Sequence, residues 1–276
     1  MSGRKFATAG SSQAQNYIIS SLIGNNVNPF QDKFRHPFKH KLFLSQKEGN
    51  NIIGYVKGTT FPNQYIVISA HYDHLGKTGS RVFNGADDNA SGTAAVLAYS
   101  QEISRNPLKH SIIFLFTDGE EVNLLGAKAF INQQQNLLPN IMLNINIDMI
   151  AGSNNTKKLH YIDNRLDNIL DQHKIELLAS LSNNSNIKIK RGFKRQQLRA
   201  NNKASWINAS DHASFNRKRI PFIYFGVGEH KNYHTTNDDF DNVNLTFFIN
   251  ASQSILQYVM FFDENIQSLE TVSYTL

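Results

Sequence analysis

The sequence predicts an α/β fold of three layers, αβα, with a mixed, mostly parallel central sheet in a single domain covering residues 1–276. Two observations predict it. Short continuous apolar runs alternate with helical segments along most of the chain, and such runs read as strands buried on both faces. The 276 residues and 40% apolar content suffice for one full core, and no repeat or Pro/Gly/Ser-rich linker divides them.

The elements follow in order. A first helix is expected over residues 12–22, capped by Ser11 or Ser12 and ended by Gly24. Two strands with partial alternation come next, near 40–45 and 52–57. Residues 64–70 read as a buried strand, 91–104 as a helix, 110–117 as a second buried strand and 122–135 as a helix. Residues 141–147 form a third buried strand. A helix near 166–181, a strand over 220–225 and a long helix over 243–262 complete the chain.

Composition narrows the function. There are no cysteines, so disulfide and thiolate chemistry are excluded and a metal has to sit on His, Asp or Glu. The longest apolar runs, such as residues 112–116, are too short to span a bilayer, so no membrane partner is expected. No apolar segment follows Met1-Ser2-Gly3-Arg4-Lys5, so no secretory leader is visible. The net charge is +6, and seven basic residues with no acidic one fall between Lys188 and Lys203. A nucleic-acid surface needs aromatic residues among its charges, and only Phe193 is there. The stretch over 183–205 is therefore read as a basic surface loop, placed where it could overhang the site, and no nucleic acid is expected.

The chemistry-bearing residues follow the strands. The first buried strand leads into His71-Tyr72-Asp73-His74, the second into Asp118-Gly119-Glu120-Glu121 and the third into Asp148. The fourth leads through a short loop to His230 and to Tyr233-His234-Thr235-Thr236. Gly85-Ala86-Asp87-Asp88-Asn89-Ala90-Ser91-Gly92 lies just before a helix. In a parallel sheet all these positions share the carboxyl edge, where open α/β sheets place their sites. Each piece alone reads as a surface loop, a turn with a helix cap, or charge complementing a helix dipole. Together they crowd carboxylates that repel one another unless a cation is bound. Imidazole and carboxylate without thiolate suit zinc in an open catalytic site, with cobalt or manganese as alternatives.

In these blocks, with Asn146-Ile147-Asp148-Met149, Ser210-Asp211-His212 and Tyr233 through Asp238, the sequence resembles the co-catalytic di-zinc aminopeptidases, of bacterial leucyl aminopeptidase, aminopeptidase S and aminopeptidase Y type. The resemblance spans about residues 65–240 and implies a zinc-exopeptidase-like fold with two Zn2+ per chain. It makes His71 and Asp148 ligands of one zinc, Glu121 and His234 ligands of the other, and Asp87 the bridge, with a cis peptide bond from Asp87 to Asp88. It makes Glu120 the general base, Asp73 the partner that orients His71, and Tyr233 a phenol that stabilises the tetrahedral intermediate. Asp211 and Asp238 support the ligands. His74 and His212 have no ligand role in this scheme and are expected as hydrogen-bonded histidines of the pocket wall, with His230 a loop residue. The implied reaction is hydrolysis of the N-terminal residue of a peptide with a free N-terminus, by water activated between two metals. The resemblance also favours a secreted or periplasmic setting.

Three rivals remain in view. Glutaminyl cyclases share the fold but use one zinc and lack the histidine that stands here as His71. Dipeptidases and glutamate carboxypeptidases keep the same five ligands. A non-enzymatic scaffold is expected to have lost the base, which Glu120 retains. Met149, Ile150 and Phe225, close to the site along the chain, hint at an apolar pocket.

Overall fold

The computed structural model describes residues 3–41, 45–182, 185–193 and 206–266. Eleven strands occur among them: β1 (Asn28–Pro29), β2 (Arg35–Lys41), β3 (Gln46–Val56), β4 (Phe61–His71), β5 (Gly76–Thr78), β6 (Arg81–Phe83), β7 (His110–Thr117), β8 (Ile141–Ile147), β9 (Lys158–Asn164), β10 (Lys188–Arg191) and β11 (Phe222–Gly226). The α-helices are α1 (Ala9–Gly24), α2 (Gly92–Arg105), α3 (Leu125–Gln133), α4 (Gln172–Leu181), α5 (His212–Arg217) and α6 (Leu245–Asn265).

The main sheet runs β1-β3-β7-β4-β8-β11-β9-β10, with β2 paired to β3. Its four central strands are mutually parallel: β4 pairs with β7 and β8, and β11 with β8. On either flank β3 and β9 run antiparallel to β7 and β11. The sheet is therefore mixed with a parallel centre, and the four central carboxyl ends open on one edge.

Alternation in the central strands divides the core. Ile112, Phe114 and Phe116 of β7 join Ile66, Ile68 and Ala70 of β4 in a large cluster with residues of α1, α2, α4 and α6. Ile113 and Leu115 join Val67 on the opposite face, with Phe130 of α3 and Phe215 of α5. Every residue of β7, β8 and β11 is buried, as helices on both faces demand.

The helix α6 is long and apolar enough to cross a membrane by length and composition. Here Phe247, Ala251, Ile255, Tyr258, Val259 and Phe262 recur at helical spacing and are buried, the pattern of a helix laid on a core.

Several boundaries differ from the sequence reading. The first helix begins three residues earlier, after Thr8. The early strand lies at Arg35–Lys41 instead of 40–45. Asn123 and Leu124 adopt left-handed backbone, so α3 starts at Leu125 and not at 122. A 3-10 turn (Leu166–Asn168) precedes α4, whose true start is capped by Asp171 accepting from Lys174 N at 2.8 Å. Within the stretch expected as a basic loop, Lys188–Arg191 form β10, paired in parallel with β9 at the sheet margin. Residues 194–205 lie outside the described residues.

Candidate metal centre

The parallel centre delivers its loops to one crevice. β4 ends in His71, Asp73 and His74, all buried. β7 leads to Glu120 and Glu121, β8 to Asp148, and β11 to the loop bearing His230 and His234.

Around His71 the chemistry is tightly constrained. Nδ1 donates to the carbonyl of Asp73 at 3.2 Å, with an Asp73 carboxylate oxygen at 3.6 Å. In the neutral ring this leaves Nε2 with a lone pair. Yet Nε2 faces Asp88 Oδ1 at 3.3 Å and Asp148 Oδ1 at 3.2 Å. Three acceptors converging this way need a cation or an added proton. Burial lowers the proton affinity of His71, but Asp148 and Glu120 raise it more, holding it well above the usual imidazole range. The spacing also suits a metal: ligands about 2.0–2.1 Å from a tetrahedral zinc stand about 3.3 Å apart.

A second group adjoins the first. His234 Nε2 lies 3.2 Å from Asp88 Oδ2 and 3.2 Å from Glu121 Oε2. Asp88 thus turns one oxygen to each group. Its carboxyl is held far below the ordinary range: burial opposes this, but the hydrogen bonds from His234 and His71 outweigh burial. Four of the five expected ligands, His71, Glu121, Asp148 and His234, therefore converge.

Asp87 is the exception: Asp88, not Asp87 as expected, is the aspartate whose carboxylate faces both groups. The Asp87 carboxylate is engaged elsewhere. Oδ1 accepts from Ala151 N at 2.7 Å and Ser91 Oγ at 3.2 Å, and Oδ2 accepts from His230 Nε2 at 2.8 Å. The cis peptide bond is likewise Asp88–Asn89, not Asp87–Asp88. Asp238 holds the segment from below, accepting from Asp87 N at 2.8 Å and Asp88 N at 3.0 Å. His230, read as a plain loop residue, instead pins its loop to Asp87.

Asp73 does more than orient His71. Its carboxylate accepts from Glu120 N at 3.0 Å and Glu121 N at 3.3 Å, tying the β7 loop to the β4 loop. Burial pushes the Glu120 carboxyl well above the usual range; His71 opposes this, while Asp148 and Glu121 add to it. Asp211 accepts from Thr117 Oγ1 at the end of β7, and burial raises it to about 7. Tyr233 stacks on His234, ring centroids 3.8 Å apart, and burial raises its phenol, with Asp88 and Glu121 adding.

His212 is buried and hydrogen-bonded, Nε2 donating to Trp206 O at 2.9 Å. Met149, Ile150 and Phe225 are buried in the main core and do not form an open apolar wall. Two residues carried no sequence signal. Tyr224 is a buried phenol whose proton affinity is raised by burial and then by Asp148. Arg4 donates to the carbonyls of Tyr72, Asn84 and Gly85, joining two of the site's loops; a lone arginine near the start of a chain gives no hint of this.

A crevice of this kind, with imidazoles and carboxylates at metal-ligand spacing on the carboxyl edge of a parallel sheet, defines the class as metal-binding α/β proteins. A profile of peptidase family M28 matches residues 51–259, and the chain belongs to that family. It is 32% identical over 118 residues to the glutamate carboxypeptidase 2 homolog of Caenorhabditis elegans, a match covering 40% of this chain and 14% of that protein. The chain thus spans a small part of that relative's length. Among solved structures it resembles the LapA aminopeptidase of Legionella pneumophila, with TM-score 0.70 and 18% identity over 96% of this chain and 69% of that one. It also resembles a glutaminyl cyclase of Macrostomum lignano, with TM-score 0.75 and 16% identity over 95% and 86%. At such identities the likeness is one of fold.

Proposed function

We propose that this chain is a zinc-dependent aminopeptidase that removes the N-terminal residue of peptides, working with two zinc ions per chain. One observation carries the reading. The Asp88 carboxylate serves two ligand groups at once, Oδ1 toward His71 and Oδ2 toward His234, the arrangement that suits a pair of adjacent ions. The nitrogen and oxygen donors suit zinc, and the likeness to LapA supports the aminopeptidase class.

Bound zinc supplies Lewis acidity and lowers the pKa of water toward neutrality. The rest falls to the chain's own residues. Glu120, a buried carboxyl with raised proton affinity, takes a proton from the attacking water and passes it to the leaving amine. Asp73 keeps Glu120 and His71 in register, through its carboxylate and its carbonyl. The Tyr233 hydroxyl donates to the carbonyl oxygen as charge builds on it. Neighbouring Glu120 and Glu121 divide the labour, one free for the proton and one turned to the histidines.

A peptide library incubated with the zinc-loaded protein and read by mass spectrometry tests the class. Stepwise loss from the N-terminus is expected. Loss from the C-terminus points to a carboxypeptidase, and loss of ammonia from N-terminal Gln to a cyclase; either result rejects the reading. Glu120→Gln tests the base. It should keep both zincs while kcat and kcat/KM fall together by at least about 100-fold; near-normal turnover rejects Glu120 in this role.

A further inference from the structure

The second ligand group holds a histidine that the five-ligand scheme leaves without work. His74 is buried on the β4 loop. Its backbone N–H donates to Arg4 O at 3.0 Å. Its ring packs on Gly85, where a Cβ would lie 2.5 Å from His74 Cγ, so the imidazole has little room to turn. Nδ1 stands 2.8 Å from Glu121 Oε1 and 3.6 Å from Asp88 Oδ2.

The contact with Glu121 is a close buried imidazole–carboxylate pair. Both ring nitrogens of His74 are buried without a hydrogen-bond partner, and so is Glu121 Oε1, although Nδ1 and Oε1 are only 2.8 Å apart. Buried polar atoms left unpaired are rare and costly. Two of them stand at contact distance, with Asp88 beside them, the donor set a shared cation would use. Ligand atoms of His74, Asp88 and Glu121 all lie within 4.8 Å of one another, as those of His71, Asp88 and Asp148 do.

We propose that His74 Nδ1 is an additional ligand of the second metal position, which then has four protein donors: His74, Asp88, Glu121 and His234. This rests on the two-metal reading above. The first position has three protein donors, His71, Asp88 and Asp148. Four donors close a tetrahedral site, whereas three leave a place for water or substrate. The two positions are therefore unequal. The ion at the His74 end is held mainly for structure and charge, and the ion at the His71 end carries the exchangeable position.

Two measurements test this, neither of them turnover. The first compares wild type with His74→Phe by zinc competition against a chromophoric chelator. Loss of a supporting partner typically weakens a site about 10–100-fold, so loss of a direct ligand should cost on the order of 100-fold or more at one position, with the other little changed. The second needs no variant. In histidine-labelled wild type, 15N NMR should show three imidazoles shifting on zinc loading, His71 and His234 through Nε2 and His74 through Nδ1. If wild type binds two zincs but only His71 and His234 respond, and the His74→Phe affinities match wild type, the proposal is overturned while the two-metal reading stands. If wild type binds fewer than two zincs, both fall.

Discussion

The two ends of the crevice are built differently. At the His71 end the proposed ligands come directly off strands: His71 is the last residue of β4 and Asp148 follows β8 at once. Both are nearly inaccessible. At the other end Glu121 lies four residues beyond β7 and His234 eight beyond β11, with the His234 side chain 34% exposed. Strand-borne ligands inherit the precision of the ladder, while loop-borne ligands depend on loops being tied down. The ties are visible: Asp73 to the backbone of Glu120 and Glu121, and His230 to Asp87. One end is positioned by secondary structure, and the other by hydrogen bonds between loops.

The comparison can be broken most severely at the residue both ends share. Asp88→Asn should lose both metals, and activity by well over about 100-fold, whereas Asp87→Asn should keep both and weaken chiefly the His234 end, by about 10–100-fold in zinc affinity. Metal analysis of the two variants decides it; two-metal loss in Asp87→Asn alone would reverse the assignment. A smaller effect is expected from Tyr233→Phe, which keeps the ring stacked on His234 and removes only the hydroxyl. Turnover should fall on the order of 10–1000-fold with zinc content unchanged. If steady-state rates are unaltered, the neighbouring phenol of Tyr224 becomes the candidate.

The smallest effect sharpens the wall beside the crevice. Burial lowers the pKa of His212 to about 4. Between the unfolded value of about 6.5 and that figure, the unfolded chain binds a proton that the folded one does not. Stability from this group is thus complete near pH 7 and is lost as pH falls through that window. Asp118 and Asp211, raised to about 7 chiefly by burial, act with the opposite sign. His212→Gln isolates the histidine: urea unfolding should show its difference from wild type shrinking by on the order of 2 kcal/mol from pH 7 to pH 5. A constant difference would show that His212 does not carry the effect.

Much of this was legible in the sequence, for reasons that differ by element. The bounds of β7 and β8 follow from composition because every residue in them is buried. β9 escaped notice because Lys158, His160, Asp163 and Asn164 interrupt its apolar residues; it is a strand because β11 pairs with it. Within the site, the places of His71, Glu121, Asp148 and His234 after strands put them on one sheet edge, while their expected roles came from the family resemblance. Asp87 and Asp88 could not be told apart, since both are aspartates in one turn. Which of them faces the crevice is settled by Ala151, His230 and Asp238, from 64 to 151 residues away along the chain.

The marginal strand β10 has a consequence outside the crevice. It forms the end of the sheet among the described residues, so one side of its backbone is unpaired. A bare strand margin invites another molecule to add its own strand and begin aggregation. Here Lys188, Lys190 and Arg191 are exposed and only Ile189 is buried, while Arg191 is fastened by two 2.7 Å bonds to Asp163. Two copies meeting edge to edge would bring like charges together. The exposed basic residues of β10 would thus oppose such pairing between copies. Replacing Lys188 and Lys190 with Thr should raise light scattering at low salt without altering zinc binding.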